Sequence, residues 1–484
     1  MTLTDLNTIL PLVALAAWAC LLLLVDLFIP ANRKSLTALL AALGLAISLG
    51  LNLANVSDPV IGFGGKVVYD GFAAFLNSLL PITGILTIAL AHGYLKRMGL
   101  EKGEFYSLLL FSISGMMLMA QAADLIVIFL ALELLSIPLY VLAALARPKV
   151  ESEEAGLKYF LLGSFATGFV VYGIALVFGA TGSTSLDSIA AAVGGEALST
   201  MNSTLLMIGA ALILVGFGFK IAAVPFHMWT PDVYQGSPTA VTAFMAAGAK
   251  IAGFAALMRV FITAFSPLSP DLTPVLWVLS ALTMIIGNLI AISQTNIKRM
   301  LAYSSIAHAG YILMAFVAFG NPQVAPVSVA AGLFYLAAYT ITNFGVWGVV
   351  IALEKSEGKG MEITDYAGLG RRHPGLAASM TVFMLSLTGM PPTLGLVGKF
   401  FLFRAAIEGG FIWLAVIGVL TSLISAYYYL RVVVTMYMRE GNPEASRETW
   451  LNLTTLATAV ATIVISLVPG FLFSLASQAL IHLF

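Results

Sequence analysis

Runs of about 20 apolar residues recur fourteen times along this 484-residue chain, and no other feature limits its fold so severely. Such a run matches the thickness of a bilayer's hydrocarbon layer when helical, and only helices and closed barrels satisfy every backbone group there. The runs fall at 9–29, 36–56, 71–94, 105–122, 124–145, 156–181, 203–225, 239–263, 273–294, 300–319, 327–353, 376–407, 411–437 and 450–476. Charged residues make up 10% of the chain, against about 25% in soluble domains, which leaves no room for a large soluble domain. The expected fold is an all-α polytopic membrane protein with about 14 spans. No Lys or Arg precedes the first run, so that run reads as a retained span rather than a signal peptide.

Loop charge supports this count. Connections on one side by parity carry sixteen Lys and Arg residues, from Arg33 and Lys34 through Lys298 and Arg299 to Arg447, whereas the opposite connections carry only Lys66. The basic side is expected to be cytoplasmic, with both termini outside. Net charge is zero, which gives no reason to expect a nucleic-acid partner. One cysteine, Cys20, cannot build a disulfide or a Cys-ligated cluster within the chain, and it reads as a small buried residue. No His/Asp/Glu spacing points to a metal, and no GxGxxG or Walker motif is present.

The remaining basic residues fall inside predicted spans. Arg259 and Arg404 lie near span ends and read as snorkelling to headgroups, as does Lys158 early in span 6. Asp26 and Asp124, also near span ends, are expected to face water or headgroups. Lys220, Lys250 and Lys399 have apolar sequence on both sides and cannot be dismissed in this way. Glu133, in IVIFLALELLSIPLYVLAA, is the candidate acidic partner. A charge in hydrocarbon is costly, so these groups need partners, a hydrated cavity or a neutral form.

That requirement points to proton chemistry. Desolvation disfavours an ammonium and a nearby carboxylate favours it, so a buried Lys beside a protonatable Glu can change charge as its partner does. Arginine, which stays protonated, could not serve. Imidazole relays protons near neutrality, which makes His308, in AYSSIAHAGYILM beside Tyr303, Ser304 and Ser305, and His227, in VPFHMWTPDVYQG, candidate relays. Packing or capping roles fit either residue equally well. His92, His373 and His482 look peripheral.

Two spans are interrupted. Pro225, five residues after Lys220, withholds an N–H from the Ile221 carbonyl, and Thr388-Gly389-Met390-Pro391-Pro392 interrupts span 12, ending seven residues before Lys399. Broken helices with midplane charge often come in pairs from an inverted repeat. Spans 7 and 12 are five apart, which predicts two inverted five-helix units, spans 4–8 and 9–13. The expected organisation is therefore 1–104 for the first three spans, 105–263 and 264–438 for the two repeats, and 439–484 for the last span.

The segments GFGFKIAAVPFHMWTPDVYQGSP, AFMAAGAKIAGF, GNLIAISQTNIKRMLAYSSIAHAGYILM and MLSLTGMPPTLGLVGKFFLF resemble the subunit N family of respiratory NADH:quinone oxidoreductase (complex I). The likeness extends over essentially the whole chain, and TPDVYQG after the FHMW element looks like the N type rather than the related L and M types. The resemblance implies a proton-translocating subunit in which Glu133 pairs with Lys220, Lys250 connects, and Lys399 is the second-repeat lysine. His308 and Lys298 would belong to the central polar row, with His227 and Lys158 as further relay candidates. It implies no cofactor on this chain, with FMN, iron–sulfur clusters and quinone on partner subunits. The implied partners are the antiporter-like subunit M, small membrane subunits and, through the complex, the peripheral arm, all in a bacterial inner membrane. A subunit of a multi-subunit cation/proton antiporter fits the buried charges as well. A lipid-acting membrane enzyme is disfavoured, because the outside loops carry no acid–base cluster.

Overall fold

A computed structural model describes residues 2–55, 59–195, 200–355, 358–479 and 481; His482 lies outside them. The helices are α1 (Leu3–Asp26), α2 (Ser35–Ala54), α3 (Gly71–Arg97), α4 (Glu104–Gln121), α5 (Leu125–Ala143), α6 (Val150–Thr181), α7 (Leu186–Gly194), α8 (Thr200–Ile221), α9 (Trp229–Gly236), α10 (Thr239–Phe244) and α11 (Lys250–Ile262). They continue with α12 (Ser269–Ser293), α13 (Ile297–Phe316), α14 (Ala325–Leu353), α15 (Leu369–Arg372), α16 (Pro374–Thr388), α17 (Leu394–Glu408), α18 (Ile412–Met438), α19 (Thr449–Leu467) and α20 (Gly470–Gln478). Among the described residues, twelve helices are long and apolar enough to cross a membrane. The 20-residue α13 and the pair α16–α17 stand where the sequence places spans 10 and 12. The protein is an all-α, multi-pass membrane protein.

Burial sets the layout. The α10–α11 span and α14 are enclosed almost completely by other helices, whereas α1, α6 and α19 leave most of one face open. Leucine, valine and phenylalanine side chains on those open faces, such as Leu24, Phe165 and Leu453, are exposed as lipid-facing residues should be. In hydrocarbon, helices associate through close packing and small residues rather than by escape from water. The crossing of α6 and α8 shows this: a Cβ on Gly173 would lie 2.7 Å from the Gly209 carbonyl oxygen, and one on Gly209 would lie 2.8 Å from that of Gly173.

The only strands among the described residues form an antiparallel hairpin, Val60–Gly62 with Val67–Tyr69, paired Val60 to Tyr69. A bridge from Val67 to Ala122 ties it to the α4–α5 connection, and a second bridge joins Asp124 to Ser185. Beneath the hairpin Arg259 is 1% exposed and donates to both carboxylate oxygens of Asp70, at 2.9 and 2.8 Å, and to the Ala120 carbonyl. It therefore does not snorkel; a bidentate partner from α3's cap replaces the headgroup.

Other expectations are corrected in the same way. Asp26 is buried and accepts from Thr37 and Lys34, and Asp124 is buried as the cap of α5. Short polar partners satisfy both carboxylates inside the protein. Cys20 is exposed, because the outer face of α1 has no helix over it. Arg404 is exposed and pairs with Glu408, one turn on in α17.

Candidate functional site

Helix α8 ends at Ile221, four residues before Pro225. The chain turns through Ala222, which takes the left-handed φ of +61°, a conformation that non-glycine residues rarely adopt. Two carbonyls at the break find new donors. Trp229 Nε1 donates to the Phe219 oxygen at 3.0 Å, and the Ala223 N–H to the Gly218 oxygen at 2.8 Å. The Val224 N–H donates to Thr283 Oγ1 on α12 at 3.0 Å. These backbone groups of the break are satisfied from within the protein, as backbone in hydrocarbon requires.

Lys220, 5% exposed, sits at this end of α8. Its Nζ donates to Ser136 Oγ at 2.7 Å and Tyr159 OH at 3.3 Å and lies 5.3 Å from the Tyr159 ring centroid. Tyr159 is held by stacking on Trp229, with centroids 4.5 Å apart. Glu133 is within electrostatic reach of Lys220, yet no hydrogen bond or ion pair joins them among the described residues. Instead Glu133 is half-buried on α5 between the exposed Leu130 and Ile137, and Ser136, three residues on, takes the direct contact. The direct Glu–Lys pair expected from the sequence is replaced by a hydroxyl contact.

Lys250 follows a π-helical turn, Met245–Ala249, that links α10 to α11. One-turn π segments are frequent at functional sites because they re-aim the side chains that follow. Lys250 Nζ donates to the Ser305 carbonyl and, at 2.7 Å, to Ser305 Oγ, and it lies 5.4 Å from the Tyr339 ring centroid. Three residues on, Gly253 has no side chain because Ile221 and the stem of Lys220 occupy the space. Lys220 and Lys250 thus lie on packed helices, although no direct hydrogen bond links their groups among the described residues.

Helix α13 carries the row onward. Ser304 Oγ hydrogen-bonds Tyr429 OH, which lies 3.1 Å from His308 Nε2, and His308 Nδ1 lies 2.6 Å from Tyr335 OH. Both imidazole nitrogens therefore face hydroxyls, the arrangement that lets a ring accept a proton on one side and give one up on the other. Tyr311, one turn along, edges against His308 and places its ring 4.7 Å from Lys399 Nζ.

Lys399, 2% exposed on α17, caps a different helix. Its Nζ donates to the carbonyls of Leu387 and Thr388, both at 2.9 Å, and to Ser422 Oγ at 2.6 Å. Those carbonyls close α16, where the chain turns on Gly389 at φ +88°. A helix C-terminus carries partial negative charge, so this cap is favourable for an ammonium. Among the described residues, none of the three lysines has a carboxylate within hydrogen-bonding distance.

On the basic-loop side a cavity of about 370 Å³ is lined by Lys149, Glu151, Glu154, Asp232, Gln235 and Lys298, among others. Asp232 of α9 accepts from Lys158 of α6 and Arg299 of α13, both at 2.7 Å. Lys158 is therefore ion-paired, with Glu154 as well, rather than simply snorkelling. Burial would raise the Asp232 carboxyl, but hydrogen bonds and charge from Lys158 and Arg299 outweigh it and hold it below the usual carboxylate range. Lys298, placed in a loop by the sequence reading, is in the first turn of α13 and 3% exposed, and its Nζ donates to the Ser237 carbonyl at 2.6 Å. His227 is buried at the break, its Nδ1 without a hydrogen-bond partner among the described residues.

The structure thus brings Lys250, His308 and Lys399 into one row through α13. Lys220 lies on the adjoining helix and Glu133 at its edge; Lys298 lines the cavity, and Lys158 pairs with Glu154 and Asp232, which line it. The sequence reading missed Ser136, Tyr159, Tyr335, Tyr429 and Ser422, and it named Ser305 only as a neighbour of His308, not as the partner of Lys250. Only the hydroxyl-rich text around His308 hinted at such partners.

Known proteins share this architecture. Residues 122–425 match the family described as "NADH:quinone oxidoreductase/Mrp antiporter, TM". NADH-quinone oxidoreductase subunit N of Chloroflexus aggregans is 47% identical over 99% of this chain and 98% of its own length. The Trichlorobacter lovleyi protein of the same name is 46% identical over 98% of this chain and 97% of its own. A chain of respiratory complex I from Thermus thermophilus, solved with bound aureothin, is 36% identical with a TM-score of 0.81, covering 96% of this chain and 99% of that one. A chain of the Mrp complex from a Dietzia species shares the fold at a TM-score of 0.85 and 22% identity, covering 99% of this chain and 97% of that one. With relatives this similar over nearly their full length, the chain belongs to the NADH-quinone oxidoreductase subunit N family.

Proposed function

We propose that this chain is the proton-translocating membrane subunit of an NADH:quinone oxidoreductase, moving protons along the buried row while quinone is reduced on other subunits. The observation that carries this reading is the row itself. Three lysines and a histidine, each at most 5% exposed, are held by hydroxyls, carbonyls and aromatic rings. Each is a group that can bind or release a proton, and each contacts groups that can reorient to pass one on. Lys220, Lys250 and Lys399 are the principal carriers, with Glu133 tuning Lys220 by its field. His308 relays between the second and third lysines. Lys298, His227 and Lys158 serve uptake from the basic-loop side, which is cytoplasmic, with both termini outside in a bacterial inner membrane.

The two breaks, after Lys220 and before Lys399, support reading α4 to α11 and α12 to α18 as inverted repeats. The chain itself carries no redox centre; FMN, iron–sulfur clusters and quinone belong to partner subunits. Its neighbours are the antiporter-like subunit M and small membrane subunits, which connect it to the peripheral arm.

The test is gentle-detergent purification of the tagged chain, followed by assay of NADH:quinone reductase activity and proton pumping. Recovery with flavin and iron–sulfur subunits, together with impaired coupled turnover but intact assembly for Lys220→Ala or Glu133→Ala, is the expected result. Normal pumping with either substitution removes the role assigned to that residue. Recovery with small membrane proteins alone, without redox subunits, would establish the cation/proton antiporter reading instead.

A further inference from the structure

We propose that Glu354, at the C-terminal end of α14, is the carboxylate through which protons pass from the basic-loop cavity into the protein, with Lys298 as its charge partner. This rests on the proton-translocating reading above. Glu354 is 6% exposed, and its Oε2 is buried with no hydrogen-bond partner among the described residues. A buried carboxylate oxygen is strongly disfavoured unless something solvates it. Tyr366, on which it acts electrostatically, and Ser237 and Thr239, just before and at the start of α10, also carry side-chain oxygens that are buried without hydrogen-bond partners among the described residues. Two to four such groups are what an ordered water needs.

The cluster leads somewhere. Lys298 both lines the open cavity and donates to the Ser237 carbonyl, so one side chain joins bulk water to the closed region. Glu354 acts electrostatically on Lys298, on Tyr94 of α3 and on Tyr366. Tyr94 OH accepts from the Thr239 N–H at 3.0 Å, which leaves its own hydrogen free to point at Glu354. Thr239 begins α10, the helix that leads through the π turn to Lys250.

The step balances simply. A hydronium in the cavity gives its proton to the Glu354 carboxylate, leaving water and a neutral acid. The acid releases the proton towards the Tyr94 and Thr239 hydroxyls and returns to carboxylate. Of the other charged groups near this end of α14, Lys355 pairs with Glu444, Asp365 accepts from the Gly360 and Glu362 N–H groups, and Arg97 pairs with Glu448 and donates to the Ile351 carbonyl, although Arg97 Nε and Glu448 Oε2 have no hydrogen-bond partner among the described residues.

The experiment is proton pumping and turnover against pH in the assembled complex reconstituted in vesicles, with Lys220→Ala prepared in parallel. Glu354→Gln keeps size and polarity but cannot take up a proton. It should lower coupled turnover about tenfold, within the range of a lost proton-transfer group. Glu354→Asp should restore most of the turnover with a displaced pH profile. Wild-type pumping and an unchanged pH profile in Glu354→Gln would overturn the proposal. If Glu354→Gln does not assemble, Glu354→Asp decides: a displaced profile supports the proposal and an unchanged one overturns it. Impaired Lys220→Ala beside normal Glu354→Gln defeats this proposal alone, whereas normal pumping in both defeats the proton-translocating reading beneath it.

Discussion

Lys399 donates to the Thr388 carbonyl at 2.9 Å, so the ammonium on α17 closes the end of α16, the helix on the other side of the break. A proton leaving Lys399 weakens that cap, which couples the charge of the lysine to the geometry of the break. Lys399→Met should therefore impair pumping and also loosen the 389–393 turn. Hydrogen exchange across that turn checks this, with faster exchange expected in the variant.

Gly389 provides a backbone version of the same test. Its φ of +88° is left-handed, and a Cβ there would sit 3.0 Å from Lys399 Cδ. Gly389→Ala should cost about 1–2 kcal/mol in backbone strain and lower coupled turnover by displacing the lysine. Thermal stability and turnover of the assembled complex should fall together.

Arg259 and Asp70 make a different kind of prediction. Both side chains are 1% exposed and joined by two hydrogen bonds. Removing one partner leaves a buried charge, so Arg259→Ala should destabilise the fold by about 3–5 kcal/mol. Replacing both with apolar residues of matching volume should cost much less. A double-mutant cycle on complex stability measures the difference, and equal losses from the single and double changes would contradict it.

Asp232 links α6, α9 and α13 through Lys158 and Arg299, and its carboxyl is held below its ordinary value of 3.8. A depressed carboxyl contributes stability that is complete above the unfolded-chain value and is lost as pH falls through the folded one. The tie should therefore hold at neutral pH and release only below about pH 4. Asp232→Asn should loosen it at every pH, read as faster hydrogen exchange in α9.

The lysines and both breaks were legible in the sequence because a charge or a proline inside an apolar run conflicts with its surroundings. Their partners were not. Ser136, Ser305 and Ser422 look like any small polar residue in a helix, and each reaches its lysine from another helix, between 23 and 84 residues away in the chain. The same blindness to tertiary pairing made Arg259 read as snorkelling when Asp70, 189 residues away, waits for it. Lys298 read as a loop residue because charge and position near a span end were all the sequence offered. The π turn before Lys250 left no signal beyond the small residues of MAAGA.

The most direct test of the account is the proton-to-electron ratio of the reconstituted complex carrying Lys250→Met, since Lys250 stands between the Lys220 group and the His308–Lys399 group. The account predicts a lower ratio with assembly intact. A wild-type ratio at wild-type turnover would show that protons do not pass through the buried row.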